Sequence, residues 1–299
     1  MSRPTRIAQV NLAHLAAPID SEQLADFVAN LDNINALAES SPGFVWRLTG
    51  EGNNATNLRP FPNPDVIVNM SVWESVESFG NFVYKSDHAK IVRRRREWFQ
   101  KMSIPPVGLW RIPASHVPTL GEARARMDHL ARYGATPYCF GFRDALPTLT
   151  IERADLSSDV AQSLIGELNQ DIISRYPAAA DNFFTLTPDD VRPDNGGFFV
   201  SYLNDEPAGC GAARTLDDGS IELKRMYSRP FARGNGLGAA MVSHLSGIAR
   251  DLGRNRMVLE TGPAQPEAIH VYRKAGFSDI PLFGQYIASA TSLCFELHL

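Results

Sequence analysis

Arg233-Gly234-Asn235-Gly236-Leu237-Gly238 decides how the second half of this 299-residue chain is read. The hexapeptide follows an apolar, strand-like run, Ile221 to Tyr227. It opens a segment in which Leu237, Met241, Leu245, Ile248 and Leu252 fall on one helical face. It is therefore a glycine-rich loop from strand to helix. The first N–H groups of such a helix lack intrahelical acceptors, and the helix dipole adds partial positive charge. Glycine removes the side chains that would hold an anion away, so a pyrophosphate fits there. Gly-x-Gly-x-x-Gly counted from Gly234 requires glycine where Ala239 stands, although a shorter register from Gly236 stays open. No lysine followed by Ser or Thr completes a nucleotide P-loop. Taken alone, the loop also fits a glycine turn that caps a core helix.

Composition narrows the field. The length favours two domains, and the formal net charge of -4 supplies no basic field toward nucleic acid or anionic lipid. No run approaches the ~20 apolar residues of a membrane helix, and Met1 to Arg6 carries no apolar signal core. Cys139, Cys210 and Cys294 show no metal-type or disulfide-framework spacing. These features give the expectation of a metal-free cytoplasmic protein without nucleic-acid or membrane partners.

The boundary is expected at Asp144 to Thr148, giving domains 1–146 and 147–299. Strands are expected at Leu149–Arg153, Phe198–Leu203 and Gly209–Thr215, with a helix from Asp159 to Ile173. The flanks of the glycine loop are distinctive. Upstream stands Glu222-Leu-Lys-Arg-Met-Tyr-Ser-Arg-Pro230. Downstream stand Met257-Val-Leu-Glu260 and Ala268-Ile-His-Val-Tyr272-Arg-Lys-Ala-Gly276-Phe277. With Arg233-x-x-Gly236-x-Gly238 between them, these segments resemble the GNAT N-acetyltransferase superfamily over about Leu149 to Leu299. Lys224–Tyr227 and Leu259–Gly262 resemble a bacterial subgroup of it.

The resemblance implies an α+β fold with a mixed, mostly antiparallel sheet, and acetyl-coenzyme A as co-substrate with no metal. Arg233, Gly234, Asn235, Gly236, Leu237 and Gly238 would hold the pyrophosphate, Arg233 alternatively being a solvated loop charge. Backbone N–H groups near Met226, Tyr227 and Ser228 would bind the thioester carbonyl. Gln265 stands where the family often has Asn, and its amide reaches further. An amine attacks a thioester only when neutral, and an alkylammonium has a pKa near ~10, so a base must act. Glu222, on one strand face with Lys224 and Met226, is either that base or a surface carboxylate. Tyr272 either protonates the leaving sulfur or is a core aromatic. His244 and His270 read as structural or solvated, and Cys294 as a small buried side chain. The segment from Tyr176-Pro177 to Phe184 is expected to be an acceptor loop. The acceptor would be the amine of a small molecule or amino acid. A non-catalytic acyl-coenzyme A sensor is the alternative.

The first half alternates strands and helices. Ile7–Leu12, Phe44–Leu48, Val66–Trp73 and Val107–Ile112 read as strands. A helix capped by Ser21, one long helix from Ser75 to Met102, and a third from Thr119 to Tyr133 complete it. Tyr138–Phe142 would add an edge strand. The order is ferredoxin-like. Val72-Trp73-Glu-Ser, Tyr84-Lys-Ser-Asp-His88, Arg93 to Phe99 and Trp110-Arg-Ile-Pro113 resemble an uncharacterised bacterial family of the dimeric α/β-barrel type, over about residues 7 to 143. That likeness implies a homodimer in which a partner covers exposed sheet. It leaves open a separate small-molecule or oxygenase activity. His88, Trp98 and Trp110 either line a pocket or are core anchors and a half-exposed ring. Arg93–Arg96 points in all directions around a helix and reads as a solvated turn paired with Glu97.

Overall fold

Strand β1 (Thr5–Leu15) is the centre of the first of two units into which the chain divides, Met1–Leu146 and Pro147–Leu299. The structure, a computed structural model, describes residues 4–142, 144, 146–177 and 186–299. In the first unit β1 pairs antiparallel with β3 (Val66–Trp73), and β3 pairs with β2 (Phe44–Arg47). The other edge of β1 takes β4 (Phe99–Gln100) at one end and β5 (Val107–Pro113) along the rest. The resulting order β2-β3-β1-β5 is ferredoxin-like.

Helices α1 (Ala25–Glu39), α2 (Val76–Lys85) and α3 (His88–Trp98) belong to one face. Ile7, Trp73, Phe79, Phe82 and Leu109 form one apolar cluster there, and Leu15, Leu24, Ile67 and Trp98 form another. Ala8, Val10, Met70 and Trp110, by strand alternation, face the other way and are buried. Helix α4 (Leu120–Tyr133) covers them, with Met127 against Gly108 and Glu122 bonded to Trp110. This sheet face is thus covered from within the same chain.

Three expectations for this unit need correction. Ser75 to Met102 is not one helix: it breaks at Ser86-Asp87, and a two-residue strand follows Trp98. The Ser86 hydroxyl donates to the Phe82 carbonyl at 2.6 Å and accepts from the His88 amide at 3.2 Å, so it closes one helix and starts the next. Ser21 makes no capping bond, and α1 is entered through a single 3-10 turn, Glu22–Leu24. Tyr138–Phe142 forms no strand, only the isolated bridges of Phe140 with Leu109 and of Cys139 with Thr136.

The second unit is a seven-stranded sheet, β11-β12-β10-β9-β8-β7-β6. The strands are β6 (Leu149–Arg153), β7 (Gly196–Leu203), β8 (Glu206–Thr215), β9 (Ile221–Ser228), β10 (Arg256–Thr261), β11 (Ser278–Ile280) and β12 (Leu293–His298). Asn204 and Asp205 turn β7 into β8 with positive φ at both positions, the geometry of a tight hairpin. All described neighbours are antiparallel except β9 and β10. Helix α5 (Asp159–Arg175), capped by Ser158, packs Ala161 and Leu164 on Phe198, Val200 and Ala212. Helix α6 (Leu237–Asp251) packs on the sheet's other side, where a Cβ on Gly211 would lie 2.6 Å from Met241. Helix α7 (Pro266–Ala275) lies against α6 through Val271 and ends at Gly276, in the left-handed conformation that glycine adopts freely. No helix among the described residues is long and apolar enough to cross a membrane.

Candidate active site

The site begins with an interruption in the sheet. Strands β9 and β10 pair over only three positions, Ile221 with Met257, Glu222 with Val258 and Leu223 with Leu259. Beyond Leu223 the two strands part. The cause is local: three steps along β9, from Lys224 to Tyr227, span the two steps from Ala212 back to Cys210 on β8. The extra residue makes a bulge, and Arg225 sits there at φ 56, where side-chain-bearing residues are uncommon. Past the bulge, the edge of Lys224–Ser228 that faces β10 has no ladder partner on β10. The backbone near Met226, Tyr227 and Ser228 therefore borders an opening.

That opening is a cavity of about 510 Å³. Its walls include Lys224, Arg225 and Met226 from β9, Glu260 from β10, and Tyr272 from α7. A segment between β11 and β12, Gln285 to Ser292, supplies the rest of one side, and Leu168 and Ile172 of α5 supply apolar surface.

The glycine loop lies where β9 leads into α6. Gly234 and Gly236 have φ of 85 and 74, and a Cβ on either would meet nothing within 4 Å. Their glycine character is thus required by backbone conformation, since left-handed φ is costly for other residues. Gly236 caps α6 without a side-chain bond, so the first amides of the helix are left to a ligand or water. Leu237 turns inward, 4% exposed, and anchors the turn. Asn235 bonds to the Ala232 carbonyl at 3.2 Å, which stabilises the loop rather than reaching outward. Arg233 is half-exposed; its Nε donates to the Ser228 carbonyl at 3.1 Å, and its guanidinium stands 3.7 Å from Asp171. The site would accept a pyrophosphate on backbone donors with one cation alongside.

Gln265 also borders the cavity, but its side-chain oxygen accepts from the Thr261 hydroxyl at 3.0 Å and the Gly262 amide at 3.3 Å. Tyr176 accepts from the Ala264 amide at 2.7 Å, and its hydroxyl lies where a Cβ on Gly262 would be. Arg175 bonds the Ala264 carbonyl and Glu267. The end of α5 is thus tied to the turn that starts α7. The expected acceptor loop continues from Tyr176-Pro177 into residues 178–185, which lie outside the described residues.

The two expected catalytic side chains differ in placement. Tyr272 lines the cavity, is 6% exposed, and packs its ring 6.0 Å from Phe277. Burial, with a contribution from Glu260, raises its pKa well above the phenol's usual value, so it is a proton-bearing group at neutral pH. Glu222 does not line the cavity. It is 1% exposed, which excludes the surface-carboxylate reading. Its Oε2 accepts from Arg214 Nε at 2.7 Å, and its Oε1 accepts from the Tyr286 hydroxyl at 2.6 Å. Lys224 donates to that tyrosine oxygen at 2.9 Å and stands 3.6 Å from Glu222. Both carboxylate oxygens of Glu222 therefore have donors, from elements on either side of it.

Glu260 is the residue that the sequence reading quoted but gave no role. It is half-buried in the cavity wall, and the Ser292 hydroxyl donates to its Oε1 at 2.5 Å. Burial raises its pKa above the ordinary carboxylate value despite that bond and the nearby Lys224. A signal for it was available. In the parallel register Val258 faces Glu222, so Glu260 continues the row toward Lys224 on the same face.

The remaining candidates are packed in the core or solvated. His244 is buried edge-on against Phe199 at 4.6 Å, and His270 is exposed. Cys294 is buried at 3% exposure. In the first unit Trp98 and Trp110 are 1% and 0% exposed, so they are core anchors, and His88 stacks on Phe82 at 4.6 Å. Arg93–Arg96 are all exposed, and Arg94 pairs with Glu97 at 2.8 Å and Asp26 at 2.6 Å.

Comparison with known proteins finds two family matches. Residues 6–155 match the family described as a domain of unknown function (DUF3291), and residues 165–277 match the acetyltransferase (GNAT) family. An "IAA acetyltransferase" of Azospirillum brasilense is 35% identical over 155 residues, which is 50% of this chain and 98% of the relative. An uncharacterized N-acetyltransferase of Escherichia coli K12, YedL, is 30% identical over 139 residues, 46% of this chain and 86% of the relative. Among solved structures, a GNAT family acetyltransferase from Elizabethkingia anophelis with acetyl-CoA bound matches at 16% identity and a TM-score of 0.37, covering 50% of this chain and 98% of that one.

Proposed function

Because the chain belongs to the acetyltransferase (GNAT) family through its second unit and to the DUF3291 family through its first, we propose that it moves an acetyl group from acetyl-coenzyme A to the amine of a small molecule or amino acid. The chain is an acyltransferase. The observation that carries the finer reading is the parting of β9 and β10 beside a glycine loop that leaves helix amides available.

Each task falls to residues already placed. The first amides of α6, with Arg233 alongside, take the pyrophosphate. The bare backbone edge past the bulge, near Met226–Ser228, donates to the thioester oxygen and to the oxyanion that follows. The acceptor nitrogen attacks the carbonyl carbon: a C–N bond forms, and the C–S bond breaks as the tetrahedral intermediate collapses. The ammonium first gives one proton to Glu260, which we place as the general base in preference to Glu222 and which passes it to solvent. The second proton leaves nitrogen as the intermediate collapses and goes to solvent by the same carboxylate. A carboxyl whose pKa is raised by burial is a better proton acceptor than an ordinary one. Glu222, held by Arg214 and Tyr286, serves to orient Tyr286 and Lys224. Tyr272 gives its proton to the departing sulfur and regains one from solvent.

Isothermal titration with acetyl-coenzyme A, together with thiol release across an amine panel, tests this reading. Binding with turnover on some amine is expected. Binding without turnover on any amine would instead favour an acyl-coenzyme A sensor, and absence of binding by folded protein would remove the cofactor assignment.

A further inference from the structure

The charges of the cavity wall carry information about the acceptor. Glu222, set back from the cavity, pairs with Arg214, which also meets Asp190, and stands 3.6 Å from Lys224. Of the charged side chains that line the cavity among the described residues, Lys224 and Arg225 are cations and Glu260 is the one acid. Lys224 is 8% exposed and Arg225 half-buried. A wall with two cations and one carboxylate opposes a polyamine or another multiply cationic acceptor, since like charges brought together in a desolvated site are costly. It suits a molecule that carries one ammonium and one carboxylate.

Arg225 is set apart by its backbone. It occupies the left-handed position of the β9 bulge, φ 56, where glycine would be free of strain. The bulge turns the side chain out of the strand's alternation; Arg225 lines the cavity wall, and its Nη1 donates to Asn169 Oδ1 on α5 at 3.1 Å. Burial lowers the pKa of Arg225 and of Lys224, so each gains from an anion that enters beside it.

We propose that the acceptor is an amino acid or an amino-acid-like zwitterion, its carboxylate held by Arg225 with Lys224 alongside and its ammonium directed to Glu260. This rests on the acetyltransferase reading and narrows it. A planar guanidinium matches a carboxylate with two parallel bonds, which gives register as well as attraction. Anchoring at Arg225 leaves the α-nitrogen to be aimed at the gap between β9 and β10.

The experiment uses the full chain with saturating acetyl-coenzyme A. Acceptors come in sets of three that differ only at the carboxyl group: an amino acid, its carboxamide and the decarboxylated amine. A charge-assisted contact predicts that the acid exceeds its carboxamide in kcat/KM by about tenfold to a hundredfold, mostly through KM. Arg225→Gln should collapse that ratio to near unity, and Arg225→Lys should restore part of it. Acetyl-coenzyme A affinity, measured by titration on the same variants, separates acceptor binding from damage to the fold. Equal use of all three acceptors by the native chain, or an unchanged ratio in Arg225→Gln, overturns the assignment while leaving acetyl transfer intact. Absence of turnover with every amine removes both.

Discussion

Glu222 and Glu260 stand on the two neighbouring parallel strands, one before the strands part and one after. Glu222 is where β9 and β10 are still paired, and it is enclosed by Arg214, Tyr286 and Lys224. Glu260 is just past the last pair, and it faces a cavity with the Ser292 hydroxyl as a donor. The first has its charge matched by protein groups. The second keeps proton-accepting capacity for something that enters. Position relative to the parting of the strands, more than residue type or spacing, separates a carboxylate that holds the fold from one that can do chemistry.

The comparison breaks first at Glu260. Replacement by Gln should lower kcat by about a thousandfold, within the usual range for losing a general base. Its pH dependence has a definite sign. Burial raises the folded-state pKa of Glu260 above its unfolded value. The neutral carboxyl is thus the form that folding favours, so its stabilisation is complete below the unfolded value near ~4.3 and is lost as pH rises through the folded one. Glu260→Gln, which does not titrate, should melt at or above the native temperature near neutral pH. In the native enzyme kcat/KM should climb through a limb that lies above the ordinary glutamate pKa and is absent in the variant. A melting temperature that falls with Glu260→Gln at neutral pH would place Glu260 with Glu222 as a structural carboxylate.

Glu222→Ala should do the reverse. It removes the carboxylate that Arg214, Tyr286 and Lys224 share, leaving half-buried Arg214 with Asp190 at 3.4 Å, and it should cost about 3 kcal/mol in denaturant unfolding. Full stability in that variant would break the distinction from the other side. Tyr272→Phe keeps the ring that packs near Phe277 and removes only the hydroxyl. A loss of about tenfold to a hundredfold in kcat is expected, with little change in acetyl-coenzyme A affinity by titration. Equal losses in both would reassign Tyr272 to packing. The smallest effect is expected at Gly236→Ala. The new Cβ meets nothing within 4 Å, so the cost is that of a left-handed alanine, roughly 1 kcal/mol.

Much of the scaffold was legible. Val66–Trp73 and Leu149–Arg153 coincide with the strands read from the sequence, because apolar runs bounded by turn residues report their own geometry. The glycine loop was legible for a similar reason: its conformation resides in the backbone of six consecutive residues. The segment from Ser75 to Met102 was misread because apolar periodicity continues across Ser86, whereas the break depends on one hydroxyl bonding to two backbone groups. The environments of the two glutamates were out of reach. Tyr286 is 64 residues from Glu222, and Ser292 is 32 residues from Glu260. Whether a carboxylate is matched or available depends on such distant partners, and strand spacing does not report them.

Three paired positions are all that join β9 to β10. In mechanical terms the seven-stranded sheet is two leaves, β6 to β9 and β10 to β12, fastened at one end only. A ligand that lays amide groups along the bare edge of Lys224–Ser228 would add rungs where the protein has none. Binding would then stiffen the sheet itself. Backbone amides of the β9 bulge should exchange with deuterium more slowly when acetyl-coenzyme A is present, and the two leaves should open together rather than one before the other.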